Sequence, residues 1–93
     1  MPQYAPPLRD MQFVLHEVID AVGQLQACPP HAELDVDTFN AVLEEAGKFA
    51  AEVTFPLNVG GDSEGCKLDR ATHEVRAPAG FKEAYAQYVA GGW

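Results

Sequence analysis

Seven prolines, at positions 2, 6, 7, 29, 30, 56 and 78, decide what this chain can fold into. Proline has no amide donor and keeps the residue before it out of the α region, so the prolines divide the sequence into an arm and stretches where helix can run. Met1 to Leu8 holds three of them and is predicted to be an extended arm. Asp10 then offers an N-cap before a proline-free run from Met11 to about Gln26. At about 100° per residue, Met11, Val14, Leu15, Val18, Val22 and Leu25 share one arc, and Gln12, His16, Glu17, Asp20 and Gln24 take the other side. Gly23 weakens the last turn. Phe13 projects from the polar face, where a large ring has no reason to sit against water alone, so this helix is expected to carry a second contact surface.

Cys28-Pro29-Pro30 ends that helix. The next one should start near Asp35 or Asp37, either of which can cap it with negative charge at the positive end of the macrodipole. Phe39, Val42, Leu43, Ala46, Phe49, Ala50 and Val53 form its apolar series, and Pro56 is expected to stop it. Glu44 with Lys48 makes an i,i+4 pair in the favourable order and Lys48 with Glu52 one in the weaker order, each worth about 0.2 to 0.5 kcal/mol. Leu57 to Ala77, with Gly60, Gly61 and Gly65, reads as a loop containing a short strand around Thr72 to Arg76. A helical period returns with Phe81, Ala84, Tyr85 and Tyr88 on one face, Pro78 near the start and Gly91 past the end. The predicted class is all-α, about three amphipathic helices joined by a Gly-rich loop. Trp93 stands directly after the Gly91-Gly92 terminator, where a next element would begin, and this predicts a natural chain that continues.

Composition narrows the function. A chain of 93 residues is one small domain or part of one, too short for an autonomous Rossmann, hydrolase or barrel enzyme. Its hydrophobic fraction of 47% exceeds that of disordered chains. Fourteen acidic against six basic side chains give a net charge of -8, which works against nucleic acid and anionic membranes. No apolar run reaches membrane-span length and no secretory signal opens the sequence, so a cytoplasmic setting is expected. Cys28 and Cys66 are then expected as thiols.

No catalytic, cofactor-binding or metal-ligating residue is assigned from these patterns. Gly61-Asp62-Ser63-Glu64-Gly65 matches the G-x-S-x-G string, but that elbow needs a strand before it and a helix after it. The same stretch lacks the ending of a phosphate loop and the register of a calcium loop. Cys28-Pro29-Pro30-His31 with Cys66 and His73 offers zinc-type ligands without the tight repeated spacing of structural zinc sites. His16 reads as a solvated histidine. Glu44 and Glu45 point about 100° apart and are no acid and base pair.

Tyr4-Ala5-Pro6-Pro7-Leu8-Arg9-Asp10-Met11, Phe13-Val14-Leu15-His16-Glu17, Leu43-Glu44-Glu45-Ala46-Gly47-Lys48-Phe49-Ala50 and Pro56-Leu57-Asn58 occur in an informative order. Gly61-Asp62-Ser63-Glu64-Gly65-Cys66, Gly80-Phe81-Lys82-Glu83-Ala84-Tyr85 and Gly91-Gly92-Trp93 complete it. In order and spacing the sequence resembles the N-terminal portion of an acyl-CoA dehydrogenase of the longer type. Val59 and Ser63 depart locally from the family pattern. The resemblance implies an N-terminal extension over residues 1–32 and the start of the N-terminal helical domain over 33–93, an incomplete domain of a larger protein. It further implies an FAD-dependent oxidoreductase that removes a hydride from Cβ of an acyl-CoA while a glutamate takes the Cα proton.

The implied partners are the remainder of its own chain (a β-domain and a C-terminal helical bundle), acyl-CoA and further copies in a homo-oligomer. None of Glu17, Glu44, Glu45, Glu52, Glu74 or Glu83 falls on the family's catalytic position. On this reading the 93-residue chain binds no FAD and is inactive alone. Phe13, Tyr85, Tyr88 and Trp93 are the expected packing interface. Two other classes of protein share these features in part. One is an independent small acidic helical interaction module, using Phe13 and the Tyr85, Tyr88 face. The other, an acyl carrier protein, needs an Asp-Ser-Leu site, whereas Ser63 is followed by Glu64-Gly65.

Overall fold

The computed structural model describes residues 3–93. Met1 and Pro2, part of the expected arm, lie outside the described residues. Residues 3–7 carry no regular structure, as the prolines require. The chain divides into one compact unit that ends at Ala50 and another that runs from Ala51 to Trp93. The all-α class holds: among the described residues there are five α-helices and one two-stranded sheet.

The first unit does not contain the single helix expected from Met11 to Gln26. Instead α1 (Leu8–Gln12) passes into a π-helical stretch (Phe13–Val18), and α2 (Ala21–Gln26) follows after a break. The Ile19 amide reaches back five residues to the Val14 carbonyl at 3.0 Å, which widens the turn by one residue. Asp20 then turns left-handed, at φ 48° and ψ 57°, a conformation that aspartate tolerates better than most residues. Its carboxylate accepts the Gly23 amide at 3.3 Å and caps α2. A Cβ at Gly23 would overlap that carboxylate, so this glycine serves the start of α2 rather than weakening an end. The working cap is Asp20. Asp10 lies inside the first turn of α1, which Pro7 precedes with no side-chain cap.

The widened turn also shifts the apolar series out of line. Val22 is buried, whereas Met11, Val14 and Val18 are exposed. Gln26 donates to the Leu34 carbonyl at 2.6 Å, tying α2 across the short 3-10 turn at Pro29–His31 to the approach of α3. In α3 (Val36–Phe49) Asp35 is the cap, accepting the Thr38 amide at 2.7 Å. Gly47 is buried, and a Cβ there would stand 3.0 Å from Pro6 Cγ and 3.5 Å from Leu8 Cδ2, so the arm lies over α3 where no side chain intervenes. On the outer face Lys48 Nζ meets Glu45 Oε1 at 3.0 Å, an exposed i,i+3 pair of the kind that contributes little.

The Thr38 amide, and after it the Thr38 hydroxyl, hold the Asp35 carboxyl below its usual value of 3.8, with burial opposing them. A carboxylate favoured by folding adds stability in full above the unfolded value and loses it as pH falls through the lower folded value. Asp35→Asn keeps an acceptor oxygen but has no proton to gain. Acid titration followed by far-ultraviolet circular dichroism should show helix loss below pH 3.8 that is shallower in this variant.

In the second unit Pro56 does not stop the helical chain. A π-helical stretch (Ala50–Thr54) begins at the boundary between the two units, and a 3-10 turn (Phe55–Leu57) takes Pro56 into its first turn. There a missing donor costs nothing and the fixed φ suits the turn. α4 (Asn58–Glu64) follows, so the expected loop from Leu57 is helical for its first part. Gly65, at φ 67°, ends it.

β1 (Lys67–Leu68) and β2 (Val75–Arg76) pair antiparallel, Lys67 opposite Arg76 and Leu68 opposite Val75. The strand expected at Thr72 to Arg76 is thus confined to its last two residues. Thr72 to Glu74 belong to the connecting turn, where the Asp69 carboxylate accepts the amides of Ala71 at 2.9 Å and Thr72 at 3.3 Å. Those amides, Ala71 first, hold the Asp69 carboxyl below its usual value.

α5 (Phe81–Ala90) starts at Gly80, at φ 89°, and ends at Gly91. Pro78 and Ala84 are buried. Glu64 Oε2 accepts the Ala79 amide at 2.8 Å, which fastens the turn before α5 to the end of α4.

Candidate packing surface

Tyr85 and Tyr88 lie three residues apart on α5, a spacing that sets them on neighbouring turns of one face. Their rings are near parallel, 24° between planes and 6.4 Å between centroids. The Gly91-Gly92 turn, with Gly92 at φ 81°, then folds Trp93 back over Tyr88. The indole and the Tyr88 ring stand 6.5 Å apart at 17°. A Cβ on Gly91 would lie 3.0 Å from Trp93 Nε1, so the glycine leaves the space in which the indole returns.

Three of the four residues named for packing are therefore gathered into one row of rings. They remain 69%, 44% and 45% exposed, so the row is surface and not core. Phe13 belongs to the first unit and is 55% exposed. Neither unit fully buries a large side chain among the described residues.

Sequence reasoning missed the polar contact of the first unit. His16, expected in solvent, is half-buried. Its Nε2 sits 2.7 Å from Asn40 Oδ1 and its ring meets Phe39 edge-on at 5.6 Å and 70°. With Nε2 paired to Asn40, the other ring nitrogen, Nδ1, is buried without a partner among the described residues. The partners are 24 positions apart, and no local pattern marks such a pairing. Asn40→Leu should leave the ring with neither nitrogen paired and cost about 1 to 3 kcal/mol. Urea titration of this variant against wild type checks it.

Ser63 sits inside α4 and is no strand-to-helix elbow. Cys28 and Cys66 are exposed thiols. Among the described residues no group of three His, Cys, Asp or Glu side chains could hold a metal ion. Glu17, Glu44, Glu45, Glu52, Glu74 and Glu83 are all exposed. No helix among the described residues is long and apolar enough to cross a membrane.

No family model matches the sequence. The chain is 38% identical over 90 residues to 3-methylmercaptopropionyl-CoA dehydrogenase of Ruegeria pomeroyi, a match covering 97% of this chain and 15% of that protein. It is 30% identical over 93 residues to the broad-specificity linear acyl-CoA dehydrogenase FadE5 of Mycobacterium tuberculosis, covering all of this chain and 15% of that protein. The chain thus spans about a seventh of the length of each relative, and both relatives are named as CoA dehydrogenases. By sequence the chain belongs to the acyl-CoA dehydrogenase family.

Proposed function

We infer that the chain is the N-terminal helical part of an FAD-dependent acyl-CoA dehydrogenase, which forms the α,β double bond of acyl-CoA thioesters in fatty acid oxidation. The observation that carries this is the extent of the match: two relatives named as acyl-CoA dehydrogenases align with 97% and 100% of the chain while it accounts for 15% of each. On this reading residues 1–32 are an extension, residues 33–93 begin the helical domain, and the longer protein is cytoplasmic and homo-oligomeric.

The part itself is structural. A flavin needs a cradle of backbone and polar groups, and the described residues do not fit one. The strands are two residues long, and the sole buried side-chain polar atom without a partner among the described residues is His16 Nδ1. Flavin and catalytic base then belong to the β-domain and helical bundle, and the Tyr85, Tyr88, Trp93 row and Phe13 pack against that remainder. Large exposed apolar patches mark such contacts.

The test is to purify the product of the complete gene and record its visible spectrum. A flavin absorbance that bleaches on adding acyl-CoA is expected, whereas the Met1–Trp93 chain alone should show neither. A colourless long product, or a reading frame that stops at Trp93, would favour the independent interaction module instead.

A further inference from the structure

We propose that Lys67 and Arg76 form a binding site for a phosphate group. The hairpin from Lys67 to Arg76 holds three of the chain's six basic side chains and two of its fourteen acidic ones, a local excess of positive charge on a chain of net charge -8. Lys67 and Arg76 stand directly opposite each other in the ladder, so their side chains leave the same face with Cβ atoms about 5 Å apart. Like charges in that position destabilise a strand pair. Among the described residues neither cation is ion-paired.

A groove of about 420 Å³ runs along these strands, lined by Lys67, Leu68, Asp69, Glu74, Val75 and Arg76. Two carboxylates line the groove beside them: Asp69 is turned to the amides of Ala71 and Thr72, and Glu74 makes no ion pair with either cation among the described residues. The chemistry is that of one phosphate: a planar guanidinium for two oxygens and an ammonium point charge for the third. Two cations suit a single phosphate and not a nucleic acid backbone, in agreement with the overall charge. Resting on the acyl-CoA dehydrogenase reading, the phosphate is one carried by the CoA of the thioester substrate.

The test is an amide-shift titration of the full ¹⁵N-labelled chain with three probes in parallel: CoA, FAD and inorganic phosphate. Saturable shifts at Lys67 and Arg76 are expected. Affinity should fall at least tenfold in the Lys67→Gln, Arg76→Gln double variant, fall less in Arg76→Lys, and change under twofold in Arg70→Gln. The tightest of the three probes identifies the source of the phosphate. Unchanged dispersion of the Asp69 to Glu74 amides confirms that the hairpin persists in each variant. No saturable shift from any probe, or shifts that survive in the double variant, would overturn the site. Inorganic phosphate tests the cation pair without flavin or thioester, so a flavin-free long product would remove the enzyme reading and leave this result standing.

Discussion

Gly80→Val should destabilise the unit from Ala51 to Trp93 by about 2 to 6 kcal/mol, the largest effect expected of a single change. Two separate penalties add. Gly80 holds φ at 89°, and a β-branched residue forced to positive φ costs about 1 to 3 kcal/mol. Its new Cβ would stand 2.6 Å from Leu57 Cδ2, an overlap of the kind that costs about 1 to 3 kcal/mol when backbone or rotamers must move. The two are separable. Gly80→Ala meets both, and adding Leu57→Ala relieves only the overlap. Urea midpoints by circular dichroism should therefore show Gly80→Ala partly restored by Leu57→Ala, measured against Leu57→Ala alone. Full restoration would mean that the backbone angle carries no strain.

The second large effect is expected at Gly61, in the same unit. A Cβ there would reach Phe81 Cζ at 2.7 Å and Cε1 at 2.9 Å, so the Phe81 ring lies on the glycine itself. Gly61→Leu should push the ring and the start of α5 away from α4, costing about 1 to 3 kcal/mol. A smaller substitution gives a less decisive result, because Gly→Ala in a helix gains up to about 1 kcal/mol of propensity against the overlap. The double-mutant cycle with Phe81→Ala isolates the contact, and a coupling of about 0.5 to 3 kcal/mol is expected. Additive single effects would show that the ring and Gly61 are not energetically in contact.

These contacts mark where the sequence is legible. Asp35 could be read as a cap because a cap is local: a carboxylate three residues before a free amide needs no other part of the fold. α5 was legible for the same reason, with its apolar period bracketed by Pro78 and Gly91. Pro56 misled because proline is hostile to a helix interior and welcome in a first turn, and only the chain around it decides which it meets. The Gly60-Gly61 pair looked like loop, yet Gly61 lies in α4 with the Phe81 ring in the place of its missing side chain. The break at Asp20 was hidden because a five-residue hydrogen bond from Ile19 to Val14 displaces a 100° pattern without altering composition.

The candidate surface was half legible. Tyr85 and Tyr88 follow from helical spacing, but the return of Trp93 depends on a left-handed Gly92 that no apolar pattern announces. Lys67 found its cross-strand partner only through the turn that Asp69 organises, since two-residue strands carry too little alternation to be recognised.

The folded-back indole has an optical consequence. Trp93 is the chain's single tryptophan, and its ring is stacked on that of Tyr88, which is stacked in turn on Tyr85. Light absorbed by either phenol is passed to the indole over one or two ring separations, so the last turn of α5 holds its own donor and acceptor. Tryptophan emission excited through tyrosine therefore reports whether the Gly91-Gly92 turn is closed, without any label. In a longer protein the same emission would change when another surface covers the row.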